Sequence, residues 1–293
     1  MDVQILAAAA DLGLMLDGAA EGALKLKDLI SEIEHSKVHV LQQDTSYIKE
    51  KEKGNRQRNL EALNAYNERI YELACQVHQE RAFPLMVGGD HAIATASCLA
   101  TQQKKGPIGV IWVDAHTDFN TLRTTETGNL HGCPLAACVG YENEILRKFH
   151  ENPCLKPQNT VVVGARSIDR EEWVNVKDAG ITVFTSADVR RLGVETVMAE
   201  AYRLALSGTK GLHISYDLDV FDPKTAPGVS VPESLGLTRE EGLAISQYIA
   251  AHIEMLCSFD LVELNPRRDE KDKTAKLAME ILSLMLSALK QKT

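Results

Sequence analysis

The chain has 293 residues, of which 41 are acidic and 32 basic, and its formal net charge is −9. This length allows a large α/β domain, and the acidic excess argues against nucleic acid as a partner, because nucleic-acid-binding domains usually carry a basic excess. No apolar run approaches the ~20 residues of a membrane-spanning helix, so no membrane partner is expected, and the N-terminus lacks the basic segment of a signal peptide. The six cysteines are scattered without a CxxC pair, which indicates buried thiols and a cytoplasmic protein.

Short apolar runs alternate with helical patterns along the chain. The predicted strands are 3–8, 38–41, 83–87, 109–113, 160–164, 182–185, 212–216 and 259–264. The predicted helices are 56–79, 92–102, 171–178, 194–207, 239–255 and 271–289. Short strands that are apolar on both faces, with helices between them, predict a three-layer αβα fold around a mostly parallel central sheet. The polar segment 49–59 is short and runs into a helix, so we expect a loop there and one domain over residues 1–293.

Polar side chains cluster directly after four of these strands. The clusters are "VGGDHA" with Asp90 and His91, "VDAHTD" with Asp114, His116 and Asp118, "SYDLDVFDP" with Asp217 and Asp219, and "LVELNP" with Glu263 and Asn265. Ligands of open parallel sheets bind beyond the carboxyl ends of the strands. We therefore expect these side chains to converge on one crevice.

Each cluster also has an ordinary structural explanation. An aspartate after a strand is most often a helix N-cap, and "DPKTAP" is typical of a turn. Capping requires one carboxylate, however, whereas Asp114, His116 and Asp118 lie at alternate positions and share one face of an extended segment. Because a buried carboxylate is costly unless it is paired or coordinated, metal binding explains the clusters together better than capping does.

The predicted ligands are four carboxylates and two imidazoles: His91, Asp114, His116, Asp118, Asp217 and Asp219. Oxygen-rich ligation with some imidazole suits Mn²⁺, with Co²⁺, Ni²⁺ or Fe²⁺ as alternatives. Four carboxylates would overcharge one divalent cation and are better matched to two. Two cations ~3.5–4 Å apart convert a bridging water into hydroxide at neutral pH, so the sequence predicts a two-metal hydrolytic site.

Several motifs resemble those of arginases, in the ureohydrolase family of binuclear manganese hydrolases. They are "GGDHAIA", "WVDAHTDFNT", "TGNLHGCPL", "SYDLDVFDPKTAPG" and "LVELNP". The resemblance implies an arginase-like fold, two Mn²⁺ ions per chain, and hydrolysis of L-arginine to L-ornithine and urea by a metal-bridging hydroxide. It also implies a homo-oligomer, a trimer or hexamer.

The resemblance assigns a role to each matching position. One manganese would be held by His91, Asp114, Asp118 and Asp217, and the other by Asp114, His116, Asp217 and Asp219. Asp118 would also pass a proton to the leaving amine, His131 in "NLHG" would be a proton shuttle, and Glu263 would pair with the guanidinium. The positions that meet the substrate α-carboxylate are matched by Asn120, Thr125 and Thr127, and those that meet the α-ammonium by Asp169 and Glu172. Taken singly, His131 is an ordinary loop histidine and Asp169 a helix cap.

The chain departs from the family pattern at two places. Ser230, Val231 and Pro232 stand where Gly-Thr-Pro is usual, so a hydroxyl expected near the substrate is lost at Val231. In "LTREEG", residues 237–242, the arginine comes one position earlier than in most arginases, which leaves the oligomeric state open. Formimidoylglutamase and agmatinase are alternative activities, and a catalytically silent, metal-stabilised scaffold is the alternative outside enzymes. "NLHG" favours arginase over the first, and the positions for an α-carboxylate favour it over the second.

Overall fold

The computed structural model describes residues 1–34, 36–44, 59–149 and 154–292. Within these ranges the strands are β1 (Val3–Ala9), β2 (Lys37–Gln42), β3 (Phe83–Gly88), β4 (Gly109–Val113), β5 (Thr160–Ala165), β6 (Thr182–Thr185), β7 (Leu212–Asp217) and β8 (Leu256–Val262). The helices are α1 (Ala19–Ile33), α2 (Leu60–Gln79), α3 (Ala94–Lys105), α4 (Pro134–Cys138), α5 (Arg170–Ala179), α6 (Ser186–Leu192), α7 (Val194–Ala205), α8 (Arg239–Ala251) and α9 (Lys273–Gln291).

The eight described strands form one sheet in the order β2-β1-β3-β8-β7-β4-β5-β6, and every pairing is parallel. One face packs against α1, α6, α7, α8 and α9, and the other against α2, α3, α4 and α5. The predicted three-layer αβα fold with a parallel central sheet is therefore confirmed. None of the helices in the described part of the chain combines the length and the apolar character that a membrane crossing requires.

Strand β4 shows why a continuous run of apolar residues correctly predicts a central strand. Its side chains alternate between the two cores: Ile111 and Val113 pack in one, and Val110 and Trp112 in the other. All four are fully buried. A strand that is covered on both faces needs apolar residues at every position. Its sequence is therefore a continuous apolar run.

Some element boundaries differ from the prediction. Helices α1, α4 and α6 were not predicted, and the helix expected over 239–255 ends at Ala251 and is followed by a short 3₁₀ turn, Ile253–Met255. The predicted start of α2 at residue 56 and most of the polar segment 49–59 lie outside the described residues. Strand β8 begins three residues earlier than expected, because Ser258 and Asp260 interrupt its apolar pattern.

Those polar residues of β8 belong to a buried hydrogen-bonded network. His213 Nδ1 lies 2.7 Å from Ser258 Oγ, and its Nε2 lies 3.3 Å from Asp260 Oδ2. Thr101 Oγ1 lies 2.8 Å from Ser258 Oγ and 3.1 Å from His78 Nε2. The hydrogen bonds of Ser258 and Thr101 satisfy polar groups that would otherwise be costly to bury, whereas His213 Nε2 and His78 Nδ1 have no hydrogen-bond partner among the described residues.

We expect His78 to make the folded chain sensitive to acid. Burial, reinforced by the charge of Lys105, lowers the pKa of His78 from 6.5 to about 3. Between these pH values the unfolded chain binds a proton that the folded chain does not, so stability is lost as the pH falls. The variant His78→Gln retains a hydrogen-bonding side chain without this titration. From pH 7 to pH 5 the free energy of unfolding should therefore fall by about 2 kcal/mol more in the unmodified chain than in the variant, measured by urea denaturation at equal metal concentration. Parallel pH curves would contradict the prediction.

Candidate metal centre and adjoining cavity

The predicted ligands meet at the carboxyl ends of four adjacent central strands. These strands are neighbours in the order β3-β8-β7-β4. His91 begins a 3₁₀ turn after β3, the segment 114–118 follows β4, Asp217 ends β7, and Glu263 directly follows β8. The crevice expected from the rule for parallel sheets is therefore present.

His91 is surrounded by three carboxylates. Its Nδ1 lies 2.9 Å from Asp114 Oδ2, 3.0 Å from Asp118 Oδ2 and 3.0 Å from Asp217 Oδ2. All four side chains are buried. Three carboxylate oxygens converging on one imidazole nitrogen is the arrangement of a ligand shell.

A second group of ligands shares Asp114 with the first. His116 Nδ1 lies 3.1 Å from Asp219 Oδ2 and 3.4 Å from Asp114 Oδ1. The donor atoms of Asp114, His116 and Asp219 lie within 4.8 Å of one another, as do those of His91, Asp114 and Asp118. The structure thus contains two overlapping candidate cation sites, with one oxygen of Asp114 directed to each.

Neighbouring side chains orient these ligands. The Trp112 indole N–H donates to Asp114 Oδ2 at 3.0 Å, and its ring stacks on the imidazole of His91 with centroids 4.1 Å apart. His91 Nε2 lies 2.8 Å from Ser215 Oγ, which leaves Nδ1 directed at the carboxylates. A hydrogen bond to the other ring nitrogen is how proteins fix the tautomer of a metal-binding histidine.

The electrostatics of the cluster favour cations. Burial raises the pKa of Asp118 to about 7, and the negative charge of Asp114 adds to this effect. Burial and the charges of Asp219 and Asp114 raise the pKa of Asp217 well above its usual range. The buried atoms His91 Nδ1 and Asp118 Oδ2 lie 3.0 Å apart, but neither makes a contact with hydrogen-bond geometry to any described residue. Oxygen and imidazole donors without thiolate fit divalent cations such as Mn²⁺, which would neutralise these charges.

Two site residues adopt the left-handed backbone region, which is costly for a residue with a side chain. Asp118 has φ of 48° and Glu263 has φ of 69°. The Asp118 carbonyl accepts hydrogen bonds from the backbone N–H groups of Leu135 and Ala136 at 3.1 and 3.2 Å, and the Glu263 N–H donates to the Gly89 carbonyl at 2.9 Å. These bonds hold both side chains in the directions that the crevice requires.

Glu263 links the ligands to His131. Its Oε1 accepts hydrogen bonds from the His91 backbone N–H at 2.9 Å and pairs with His131 Nδ1 at 3.0 Å. Burial alone would lower the pKa of His131, but the hydrogen bond and charge of Glu263 raise it above its ordinary value. Oε2 of Glu263 is buried without a hydrogen-bond partner among the described residues, so an acceptor oxygen remains available.

A cavity of about 230 Å³ adjoins the ligand cluster. It is lined by predicted site residues: His116, Asp118, Asn120, Thr125, Thr127, His131, Asp169 and Glu172. Its wall also contains Val231, whose position was expected near the substrate, and residues that were not predicted as site residues: Asn129, Gly132, Ser167 and Glu233. Glu263 is not among the described lining residues and contacts the cavity wall through His131. Asn129 lies within "GNLHG", but Ser167 and Glu233 carried no signal beyond their position in loops.

Glu172 and Asp169 bind other parts of the chain as well as lining the cavity. Glu172 Oε1 accepts from Thr117 Oγ1 at 2.5 Å and from the Phe119 N–H at 2.9 Å, and its Oε2 accepts from the Asp169 N–H at 3.1 Å. Asp169 is the N-cap of α5 in a capping box with Glu172, and its Oδ2 accepts from Asn120 Nδ2 at 3.2 Å. The simple interpretation of Asp169 as a helix cap is therefore confirmed, and its contact with a substrate stays a prediction.

Comparisons with known proteins show which proteins this chain resembles in sequence and fold. A family model described as "Arginase family" matches residues 1–287. An arginase of Bacillus subtilis is 41% identical over 231 residues, which cover 78% of this chain and 77% of that protein. Among solved structures, arginase from Bacillus caldovelox superposes with a TM-score of 0.89 at 33% identity over 97% of each chain. A Bacillus subtilis arginase structure gives 0.86 at 33% identity over 98% of each chain.

Proposed function

The chain belongs to the arginase family, whose members hydrolyse linear amidine C–N bonds, and we propose that it converts L-arginine and water to L-ornithine and urea with two Mn²⁺ ions. The observation that supports this most strongly is the pair of candidate cation sites that share Asp114 beside a cavity of polar side chains. Two adjacent cations, a cavity for a small molecule and the match to arginases over most of the chain favour the same reaction.

The first cation would be held by His91, Asp114, Asp118 and Asp217, and the second by Asp114, His116, Asp217 and Asp219. When bound, the two cations would supply a hydroxide nucleophile at neutral pH. Trp112 and Ser215 fix the directions of the ligands.

The protein side chains orient the substrate and move protons. Glu263 Oε2 is an acceptor without a hydrogen-bond partner among the described residues, which supports its pairing with the planar guanidinium. Asp118 Oδ2 delivers a proton to the leaving amine, and His131, in the wall of the cavity, exchanges protons with solvent. Asn120, Thr125 and Thr127 meet the α-carboxylate, and Asp169 and Glu172 the α-ammonium, an assignment supported by their common cavity.

We also propose a cytoplasmic homo-oligomer, trimeric or hexameric. No disulfide joins cysteines within the described part of the chain, which suits a reducing compartment. A groove of about 830 Å³ between α1, α8 and α9, lined in part by Leu29, Leu243 and Met279, supports association through this side. In segment 237–242, which differs from the usual arginase pattern, Arg239 forms an ion pair with Glu280 of the same chain.

We also keep the prediction that residues 1–293 form one domain.

Urea release tests the proposed reaction. Protein stripped with chelator and reloaded with Mn²⁺, Co²⁺, Ni²⁺ or Fe²⁺ is given L-arginine, agmatine or formimidoylglutamate at equal concentration. We expect Mn²⁺-loaded protein to prefer arginine by at least about tenfold in kcat/KM, because side chains placed for a carboxylate would be left unpaired by agmatine. The stripped protein is the control.

Other outcomes would assign other functions. A preference for agmatine would assign agmatinase activity instead of arginase activity. Release of formamide from formimidoylglutamate would assign formimidoylglutamase activity. Protein that binds two Mn²⁺ ions yet turns over none of the three substrates would be a metal-stabilised scaffold. Full activity without metal would refute the proposed chemistry.

A further inference from the structure

Within the described part of the chain, the cavity has one carboxylate outside the ligand set whose side chain forms no hydrogen bond or ion pair, although its charge acts on the guanidinium of Arg166. Glu172 has three of its approximately four acceptor positions occupied by Thr117, Phe119 and Asp169. Asp169 binds Asn120 and caps α5. The third carboxylate outside the ligand set, Glu233, lines the same cavity, and its side chain receives no hydrogen bond and forms no ion pair with any described residue.

The backbone that carries Glu233 is anchored to the metal-binding turn by one arginine. Arg166 Nη2 donates to the Glu233 carbonyl at 2.9 Å, and its Nε donates to the Ser234 carbonyl at 3.0 Å. The same guanidinium donates to the carbonyls of Asp219 at 2.8 Å and Val220 at 3.0 Å. Glu233 is therefore held at a defined position relative to the candidate ligand Asp219. An anchored loop loses little conformational entropy when its side chain binds a ligand.

The remaining polar residues of the cavity are of two kinds. Asn120, Thr125, Thr127 and Asn129 offer neutral hydrogen-bonding groups, whereas Asp169 and Glu233 are carboxylates, and Asn120 Nδ2 adjoins the acids by donating to Asp169 Oδ2 at 3.2 Å. A zwitterionic amino-acid end suits this combination, because its carboxylate can accept from the neutral groups while its ammonium donates to the acids. We propose that Glu233 is a specificity-determining residue that accepts hydrogen bonds from the α-ammonium of the substrate together with Asp169. This inference rests on the proposed function.

Substrates that differ by one charged group test this proposal. L-arginine carries both end groups, agmatine lacks the carboxylate, and 5-guanidinopentanoate lacks the amine. Glu233→Gln should raise KM about three- to tenfold for arginine and agmatine and leave KM for 5-guanidinopentanoate unchanged or lower. The kcat values should stay within about twofold, because the contact is present in both ground and transition states.

Glu171→Gln is the matched control. Glu171 is exposed in the first turn of α5 and does not line the cavity, so the variant removes the same charge near the site without removing the proposed contact. It should leave all three KM values unchanged. Equal changes for all three substrates in Glu233→Gln, or no change for arginine, would overturn the assignment.

A binding measurement separates this inference from the proposed reaction. Calorimetry with Mn²⁺-loaded protein compares L-ornithine with 5-aminopentanoate, which is ornithine without its α-amine. Glu233→Gln should weaken ornithine binding about three- to tenfold and leave 5-aminopentanoate unaffected. Absence of urea from every substrate would refute the proposed function while this comparison still decides the role of Glu233. Unchanged ornithine affinity would refute that role.

Discussion

Replacement of Asp114 by asparagine is expected to lower kcat for L-arginine by at least about 10³-fold and to weaken Mn²⁺ binding. Asp114 Oδ2 lies 2.9 Å from His91 Nδ1, and its Oδ1 lies 3.4 Å from His116 Nδ1, so it is the residue shared by both candidate cation sites. Asparagine removes one negative charge and directs an N–H donor into one of the two sites. A cation cannot accept that donor, so at least one site should be lost.

Metal content after dialysis, measured by mass spectrometry, and urea release together check the prediction for Asp114. Asp28→Asn is the control, because Asp28 is an exposed aspartate of α1 whose carboxylate, within the described part of the chain, forms an ion pair with the neighbouring Lys27 alone. Both proteins should fold, and only the Asp114 variant should lose metal and activity. Retention of two tightly bound ions and full turnover by the Asp114 variant would show that it does not bridge.

Glu172→Gln is expected to lower kcat by about 10- to 100-fold, a larger change than the rise in KM that follows from its proposed contact with the α-ammonium. The Glu172 carboxylate accepts hydrogen bonds from both neighbours of Asp118, namely Thr117 and Phe119, and from the N–H of Asp169. Whichever way the glutamine amide is oriented, its NH₂ group faces a donor. The segment that holds Asp118 at φ of 48° then loses a restraint, and the ligand moves from its position in the cluster.

The kinetic pattern distinguishes this positioning role from contact with the substrate. A residue that only binds the α-ammonium would raise KM and leave kcat unchanged. The Glu171→Gln variant, in the same turn of α5, should retain both constants. A change in KM alone in Glu172→Gln would return this residue to the substrate-contact role implied by the family resemblance.

The sequence predicted which polar clusters meet at one edge of the sheet, because each cluster is a local pattern that directly follows a strand. Apolar β4 and the alternating acids after it lie within one short segment, and parallel-sheet geometry places such segments at one edge. Strand β8 was less well placed, since Ser258 and Asp260 contribute to a buried network with His213 that a hydrophobicity pattern cannot reveal. Helix α1 was missed although its buried face, which includes Leu26 and Ile30, has helical spacing.

Other features depend on contacts between segments distant in sequence. The placement of β8 between β3 and β7 follows from packing of the whole sheet and not from any local pattern. Glu233 enters the cavity because Arg166, far away in the chain, binds its carbonyl. The hydrogen bonds of Glu172 likewise could be identified only in the structure. A family resemblance assigns a role to a sequence position, but it does not show which atoms the side chain contacts.

The sheet order determines when during synthesis the metal centre can form. All six candidate ligands, from His91 to Asp219, precede β8 in the chain, yet β8 lies between β3 and β7 in the sheet. A nascent polypeptide that has left the ribosome only as far as Asp219 therefore carries every ligand but lacks the strand that sets the distance between His91 and Asp217. Capture of the cations should consequently follow insertion of this last strand, as a late step in maturation.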